Sequence, residues 1–376
     1  MPLPLTANAL QGVLELKPYE PGMPVEELQR KLGVPQAIKL ASNENPLGAS
    51  PKVREVLKAQ AAGDLARYPD GSGFKLKAKL AALHDVAPEC ITLGNGSNDI
   101  LEFLGRVFLG PGRKSMFSAH AFAVYPIVTK AQHAEAVIVP ARPADDAEMP
   151  LGHDLAGFAA RLDDQVSLIF VANPNNPTGT WLPAQEITEF LGKVPKTTVV
   201  VLDEAYWDYM APELRPDVKQ LLADHENLVV TRTFSKVYGI ASLRVGYGIS
   251  HPQVADLMNR VRQPFNNNSL ALAAAEAALA DQAFVAETVS LCRTEMARLE
   301  KALAELGLRC LPSQANFLSV DFGRDAAPIH QALLHKGIIV RPTASYAMPN
   351  FLRVTIGTQA ENDKFLSALR EVLAAL

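Results

Sequence analysis

Short apolar runs alternate along the first 250 residues with longer stretches in which apolar residues recur at helical spacing. Runs that are apolar throughout are typical of strands in a parallel sheet, because helices cover both of its faces. The strands predicted on this basis are residues 90–93, 136–139, 167–172, 198–203, 228–231 and 245–249. The alternation predicts an α/β fold, namely a three-layer α/β/α domain with a mainly parallel sheet.

The pattern changes after Pro264. An Asn-rich turn at residues 266–268 leads into a long Ala/Leu/Glu stretch, residues 269–306, with the spacing of amphipathic helix. Three further predicted strands, residues 316–321, 338–341 and 352–356, indicate a smaller α/β unit. We therefore predict a large ligand-binding domain (residues 46–266) and a small domain formed by residues 267–376 with the N-terminal segment 1–45.

Composition and charge favour small-molecule partners. The 376 residues are 48% hydrophobic and 20% charged, with a formal net charge of -4, which gives no electrostatic basis for binding nucleic acid or an anionic membrane. The most apolar stretch, residues 270–280, is interrupted by Glu276 and is too short to cross a bilayer. The first lysine is Lys17, so the amino terminus does not have the pattern of a secretory signal.

Neither the cysteines nor the histidines indicate a metal site. The cysteines are three, Cys90, Cys292 and Cys310, without a Cys-x-x-Cys pair, and the eight histidines do not show metal-ligand spacing. We expect no bound metal, no disulfide framework and a cytoplasmic location.

Two predicted strands end next to residues that suit chemistry. Asp203 ends the strand 198–203, and Lys236 follows the strand 228–231, at the sheet edge where α/β folds bind ligands. A buried carboxylate needs a partner such as a protonated pyridine nitrogen, and Tyr206 could bond the phenolic oxygen of the same ring. Taken alone, Asp203 could instead cap a helix and Lys236 could be a surface lysine.

Two other segments suit a phosphate group. Residues 94–98, Gly-Asn-Gly-Ser-Asn, lie between a predicted strand and a predicted helix, and Arg244 follows Lys236 by eight residues. Backbone N–H groups at a helix start, together with Ser97 and a guanidinium, would hold a phosphate dianion. The segment lacks the third glycine of a dinucleotide fingerprint.

Four motifs in a fixed order resemble the fold-type I pyridoxal-phosphate (PLP)-dependent aminotransferases. They are the Asn-Pro-Thr-Gly turn at 176–179, Asp-Glu-Ala-Tyr at 203–206, Ser-Lys at 235–236 and Leu-Arg-Val-Gly at 243–246. Within that family, LASNENPLG at 40–48 and RYPDG at 67–71 are similar to the histidinol-phosphate aminotransferase branch. The resemblance extends over nearly the whole chain, and it implies PLP as cofactor and transamination between histidinol phosphate and 2-oxoglutarate, in histidine biosynthesis.

The resemblance also implies roles around the cofactor. Lys236 would be the Schiff-base lysine and proton shuttle, and we expect desolvation and the nearby Arg244 to keep its amine uncharged. Asp203 would pair with the pyridinium, Tyr206 and Asn176 would bond the ring oxygen, and Phe122 would stack on the ring, where relatives often have tyrosine. The residues implied to hold the cofactor phosphate are Gly96, Ser97, Asn98, Ser235 and Arg244.

The implied substrate residues lie in the small domain. Arg341 and Arg353 match positions that bind substrate anions, and a planar guanidinium suits both the carboxylate of glutamate and the phosphate of histidinol phosphate. Tyr19 would help to close this pocket. Without the resemblance, either arginine could form a surface ion pair.

The resemblance further implies a homodimer. Tyr68 is expected to reach the phosphate of the neighbouring subunit's cofactor. Alternatively, Tyr68 is a turn residue that packs on its own domain.

Other functions on the same scaffold stay open at this point. They are an aromatic or aspartate aminotransferase, and a PLP-dependent decarboxylase of a phosphorylated amino acid. A PLP-binding regulatory domain without catalysis is a further alternative, but the enzyme pattern begins within the first fifty residues, which leaves no room before it for the DNA-binding domain of such proteins.

Overall fold

The computed structural model describes residues 7–19, 21–63 and 65–375. Its strands are β1 (Ile38–Leu40), β2 (Ile91–Gly94), β3 (Lys114–Ser118), β4 (Glu135–Val139), β5 (Val166–Ala172), β6 (Val199–Asp203), β7 (Leu228–Thr233), β8 (Gly246–Ser250), β9 (Arg309–Cys310), β10 (Phe317–Asp321), β11 (Ile338–Pro342) and β12 (Phe351–Thr355). Its helices are α1 (Gln11–Leu14), α2 (Val25–Leu32), α3 (Pro51–Ala61), α4 (Phe74–His84), α5 (Ser97–Phe108), α6 (Val124–Ala131), α7 (Leu155–Ala159), α8 (Ala184–Leu191), α9 (Val218–Asp224), α10 (Pro252–Val261), α11 (Ser269–Leu279), α12 (Gln282–Glu305), α13 (Ala327–His335) and α14 (Gln359–Ala375). Single 3-10 turns occur at Pro88–Cys90, Trp207–Tyr209, Pro212–Leu214, Ala241–Leu243 and Ala344–Tyr346.

The larger sheet has seven strands in the order β2-β8-β7-β6-β5-β3-β4. β8 runs antiparallel to both of its neighbours, and the other pairs are parallel. Successive side chains of β6 point to opposite faces: Val200 and Leu202 join one hydrophobic cluster, whereas Val199 and Val201 join another. Because helices cover both clusters, the central strands are buried on both faces, and the predicted three-layer α/β fold with a mainly parallel sheet is confirmed.

The smaller sheet has five strands in the order β1-β11-β12-β10-β9. β1 pairs with β11 in parallel and the remaining pairs are antiparallel, so that an N-terminal strand completes a sheet built from the C-terminal third of the chain. Leu299 of α12, Ile329 of α13 and Phe365 of α14 belong to the hydrophobic cluster that also contains residues of this sheet. The domain boundaries at residues 46 and 266 stay a prediction, and the first six residues of the predicted N-terminal segment lie outside the described residues.

The long helical stretch at 269–306 forms two helices. α11 ends at Leu279 and α12 begins at Gln282, with a bend of 78° between them. α11 packs on α3 and α4 of the large domain, whereas α12 extends to β9 of the smaller sheet. Asp281, at the bend, forms an ion pair with Lys52 at 3.2 Å.

No single helix within the described residues is long and apolar enough to cross a membrane. The bent pair α11 and α12 meets the criteria of length and composition only when the two helices are taken together.

Candidate active site

The carboxyl ends of β5, β6 and β7 border a cavity of about 250 Å³, which β11 and β12 help to enclose. Most residues that were predicted for the site line this cavity. They are Tyr19, Ser97, Asn98, Phe122, Asn176, Asp203, Tyr206, Ser235, Lys236, Arg244, Arg341 and Arg353. The fold thus brings together residues from both sheets and from the N-terminal segment.

Lys236 lies in the cavity just after β7, and its Nζ donates a hydrogen bond of 3.1 Å to the carbonyl oxygen of Ser42. The pKa of its amine is lowered to about 7, and burial is the main cause. The positive charges of Arg353 and Arg244 also lower this pKa, Arg353 more than Arg244, whereas the negative charge of Glu44 raises it. Desolvation and the positive charge of Arg244 both act in the expected direction, towards the uncharged amine. The larger effect of Arg353 was not expected.

Asp203 is buried at the end of β6, and each of its carboxylate oxygens accepts a hydrogen bond from a hydroxyl group. Tyr125 donates to Oδ2 at 2.8 Å and Thr231 donates to Oδ1 at 2.9 Å. Burial raises the pKa of Asp203, although both hydrogen bonds act to lower it. Capping a helix does not account for these bonds, and a buried carboxylate held in this way is suited to a cationic partner.

The sequence reasoning missed Tyr125 and Thr231. Tyr125 is fully buried on α6, three residues after Phe122, and the two rings meet edge to face with centroids 5.9 Å apart. A tyrosine one helical turn after the predicted stacking residue was the available signal. Thr231 lies opposite Asp203 in the pairing of β6 with β7. The register of this pairing cannot be predicted from the sequence.

Tyr206 follows β6, and its hydroxyl accepts a hydrogen bond of 2.8 Å from Nδ2 of Asn43. Burial raises the pKa of Tyr206 to about 12, so that the phenol keeps its proton and can donate it to an acceptor in the cavity. Asn43 also bonds Thr355 of β12 through its backbone N–H, at 2.9 Å. Asn43 therefore links the two sheets. It belongs to the motif at 40–48, but the sequence analysis did not predict this role.

The geometry at the start of α5 suits a phosphate-like anion. The first N–H groups of a helix have no partner within it, and α5 begins at Ser97. Arg244 reaches the same place, where its Nη1 donates to Oγ of Ser235 and to the carbonyl oxygen of Ala241, both at 3.1 Å. Gly96 has φ of 85°, and a Cβ atom on it would lie 2.1 Å from Nη2 of Arg244, so that the close approach of this arginine requires glycine.

Arg341 and Arg353 lie on the opposite side of the cavity, on β11 and β12. Both are buried, so neither is the exposed side chain that the alternative of a surface ion pair requires. Arg353 donates to the carbonyl oxygen of Ala41 at 2.6 Å and to Oδ1 of Asn176. The guanidinium of Arg341 lies 5.5 Å from the centre of the Tyr19 ring, as expected of a tyrosine that covers the pocket.

Tyr68 lies apart from the cavity of its own subunit. Its ring stacks on Phe265 with centroids 4.6 Å apart, and 82% of its surface is exposed. The packing on its own domain is thus observed, and the role in a neighbouring subunit stays a prediction.

Comparison with known proteins agrees with this geometry. Residues 35–369 match the family of class I and II aminotransferases. Histidinol-phosphate aminotransferase 2 of Pseudomonas fluorescens (strain Pf-5) is 55% identical over 370 residues, which cover 98% of each chain. The chain belongs to the histidinol-phosphate aminotransferase family. The predicted resemblance, made from six short motifs, is confirmed.

Other members of the histidinol-phosphate aminotransferase family give the same result. The enzyme of that name from Pseudomonas aeruginosa is also 55% identical, over 98% of each chain. The crystal structure of histidinol-phosphate aminotransferase from Sinorhizobium meliloti, in complex with pyridoxal-5'-phosphate, superposes with a TM-score of 0.88 at 31% identity and covers 98% of each chain. The fold is therefore that of the family over 98% of the chain.

Proposed function

We propose that this protein transfers the amino group of L-histidinol phosphate to 2-oxoglutarate, which gives imidazole-acetol phosphate and L-glutamate, with PLP as cofactor. The observation that carries the proposal is the position of Lys236. Its amine, with a pKa of about 7, lies in one cavity with a buried carboxylate, Asp203, and with two buried arginines, Arg341 and Arg353. The named relatives at 55% identity support the choice of substrates.

The residues of the cavity fit PLP. Asp203 is a buried carboxylate without an ion pair to a described residue, and a protonated pyridine nitrogen would supply the missing positive charge. The start of α5, Ser235 and Arg244 would hold the phosphate, and the ring of Phe122 would cover one face of the cofactor. When bound, PLP supplies an electron sink for the charge left at the substrate Cα.

Lys236 is the base that this reaction needs. A neutral amine at this position would remove the proton from the substrate Cα and return it later in the reaction, and the lowered pKa leaves much of the amine neutral near pH 7. Tyr206 and Asn176 would hold the ring oxygen. A guanidinium would not replace the lysine, because it keeps its proton at any pH the protein tolerates.

The two arginines would serve both half-reactions. Each substrate carries an anion next to the reacting carbon: histidinol phosphate carries a phosphate ester and glutamate carries its α-carboxylate. One cationic pocket with a planar, forked donor at Arg353 can bind either group.

Substitution of Lys236 tests the mechanism. Lys236→Ala and Lys236→Arg should each abolish turnover, while Lys52→Ala, which removes an exposed lysine paired with Asp281, should keep it. Circular dichroism and thermal unfolding would establish that each variant is folded. Near-normal turnover by the Lys236→Ala protein would refute the proposal.

A single-turnover optical assay tests the substrate. The PLP form of the enzyme would be mixed with histidinol phosphate, phenylalanine, aspartate or threonine phosphate, and conversion to the pyridoxamine form followed. We expect rapid conversion with histidinol phosphate and much slower conversion with the other three. Conversion by another donor only, or release of carbon dioxide from threonine phosphate, would replace this substrate assignment with one of the alternatives.

We further propose that the active unit is a homodimer. Tyr68 and Phe265, which stack on each other, are both exposed, and so are Leu65 and Phe74, which lie near Tyr68 in the sequence. Exposed apolar side chains of this size favour burial against a second subunit. If Tyr68 acts in the neighbouring site, Tyr68→Ala and Lys236→Ala should each be inactive alone, whereas their mixture, after subunit exchange, should regain about a quarter of wild-type activity, because hybrid dimers contain one intact site. A fully active monomer in light scattering would contradict the proposal.

A further inference from the structure

Two of the described residues that line the cavity carry a carboxylate, Asp203 and Glu44. Asp203 lies deep, and both of its oxygens accept hydrogen bonds from hydroxyl groups. Glu44 lies at the mouth of the cavity, with about half of its side chain exposed. Its Oε1 forms an ion pair with Lys39 at 3.1 Å, whereas its Oε2 has no hydrogen-bond partner among the described residues. Glu44 thus presents a free acceptor next to the cavity.

The proposed substrate has three groups to place around its Cα. If Lys236 and the cofactor receive the amine, and Arg341 and Arg353 receive the phosphate, the imidazole must face one of the remaining walls. The segment 41–44 forms such a wall beside Lys236, whose Nζ bonds the carbonyl oxygen of Ser42. The charge of Glu44 is felt at Lys236, where it acts to raise the pKa. The segment 41–44 thus contacts Arg353 through Ala41 and Lys236 through Ser42, and Glu44 follows these contacts on the lining of the same cavity.

We propose that Glu44 recognises the imidazole of the amino donor, by accepting a hydrogen bond from its ring N–H. This inference rests on the proposed function and adds a specificity-determining residue to it. An imidazole always carries at least one N–H, and a carboxylate is the strongest acceptor that a side chain offers to it. The same carboxylate repels the γ-carboxylate of glutamate if that group occupies the same place. Glu44 therefore favours the imidazole donor over acidic ones.

The ion pair with Lys39 offers an alternative role for Glu44, a structural one, which the same experiment must test. Glu44 follows β1, which contains Lys39, and their contact could merely fix the segment 41–44. If so, removal of either partner should have the same consequence. If Glu44 binds the imidazole, removal of Lys39 should leave the recognition in place, since the carboxylate remains.

The experiment compares Glu44→Ala, Glu44→Gln and Lys39→Met as PLP-loaded full-length proteins in single-turnover half-reactions. The donors are histidinol phosphate, glutamate, and alaninol phosphate, which has a hydrogen atom in place of the imidazole ring. For Glu44→Ala we expect the half-saturating concentration of histidinol phosphate to rise about tenfold or more, as for loss of a hydrogen bond to a charged group. Glu44→Gln, which keeps a weaker acceptor, should show a smaller rise. The values for glutamate and alaninol phosphate should not rise.

Lys39→Met should leave the half-saturating concentration of histidinol phosphate within twofold of the wild-type value. An equal loss for all three donors, or a Lys39→Met protein that matches Glu44→Ala, would overturn the assignment of Glu44 in favour of a structural role. Failure of the wild-type protein to convert histidinol phosphate would instead overturn the proposed function, so the two failures are distinguishable.

Discussion

Arg341 and Arg353 lie directly opposite each other on the antiparallel strands β11 and β12. Like charges at such a position destabilise a sheet, and both side chains are buried, which adds a cost of desolvation. The desolvation lowers the pKa of Arg353. The arrangement is therefore a poor choice for stability alone and a good one for a site that an anion enters.

Arg353→Met should weaken both half-reactions. The loss of one charged hydrogen-bond donor is worth about 1.5–3 kcal/mol, so kcat/KM for histidinol phosphate and for glutamate should each fall roughly tenfold to a hundredfold. Arg309→Met serves as the control, because Arg309 lies in the same sheet and forms an exposed ion pair with Asp321. A loss restricted to one donor would show that the two anions do not share Arg353.

The lowered pKa of Lys236 can be measured without the cofactor. In the apoprotein, labelling of Lys236 by an amine-acylating reagent should rise with pH around a midpoint near 7, since only the neutral amine reacts. The reference is the amine of a lysine in a model peptide, with a midpoint of about 10.4.

The same measurement tests the cause of the shift. Arg353→Met removes the positive charge that has the largest effect on Lys236. Its removal favours the ammonium form of Lys236, so the labelling midpoint should move to higher pH. Peptide mass spectrometry would report both midpoints. A wild-type midpoint close to 10 would show that Lys236 is not desolvated in this cavity.

Tyr125→Phe should remove one of the two hydroxyl hydrogen bonds to the carboxylate of Asp203. Without the hydroxyl at 2.8 Å, the buried carboxylate loses a bond that favours its charged form, so its pKa should rise and its attraction for a pyridinium should weaken. We expect the affinity for PLP, measured by equilibrium dialysis, to fall about tenfold. Tyr247→Phe is the matched control, because it also removes a buried hydroxyl, one that bonds His84. Equal affinities in the two variants would argue against a positioning role for Tyr125.

Much of this site was predictable because its residues lie at the ends of apolar strands. Asp203 ends the apolar run of β6, and Lys236 lies three residues after β7, which begins with three apolar residues, so the sheet edge, and with it the cavity, could be placed from the pattern. The helix start at Ser97 was also predictable, since the sequence marks it with glycines, and phosphate binding there stays a prediction.

The parts that escaped prediction depend on contacts between distant segments. Thr231 meets Asp203 through the register of two strands, and Asn43 meets Tyr206 across 163 positions of the chain. β3 was missed because it begins with Lys114 and ends with Ser118, which weakens its apolar signal. The break between α11 and α12 follows from packing on different partners, which a helical spacing does not encode.

Arg244 lies close to Gly96, and a final prediction separates the effect of backbone strain at Gly96 from that of a steric clash with Arg244. Gly96→Ala forces a Cβ atom to within 2.1 Å of Nη2, so that Arg244 must leave its position beside Ser235. Gly112→Ala is the matched control, because Gly112 also has a positive φ, 77°, but an added Cβ would meet nothing within 4 Å. Both substitutions should lower stability, by about 1 to 3 kcal/mol, because a side chain at a positive φ is strained, and the φ of 85° and ψ of 165° at Gly96 lie in a region that is essentially restricted to glycine. Only Gly96→Ala should also weaken PLP binding, by tenfold or more, because it displaces a charged phosphate donor. If equilibrium dialysis gave the same PLP affinity for both variants, Arg244 would not be a ligand of the cofactor phosphate.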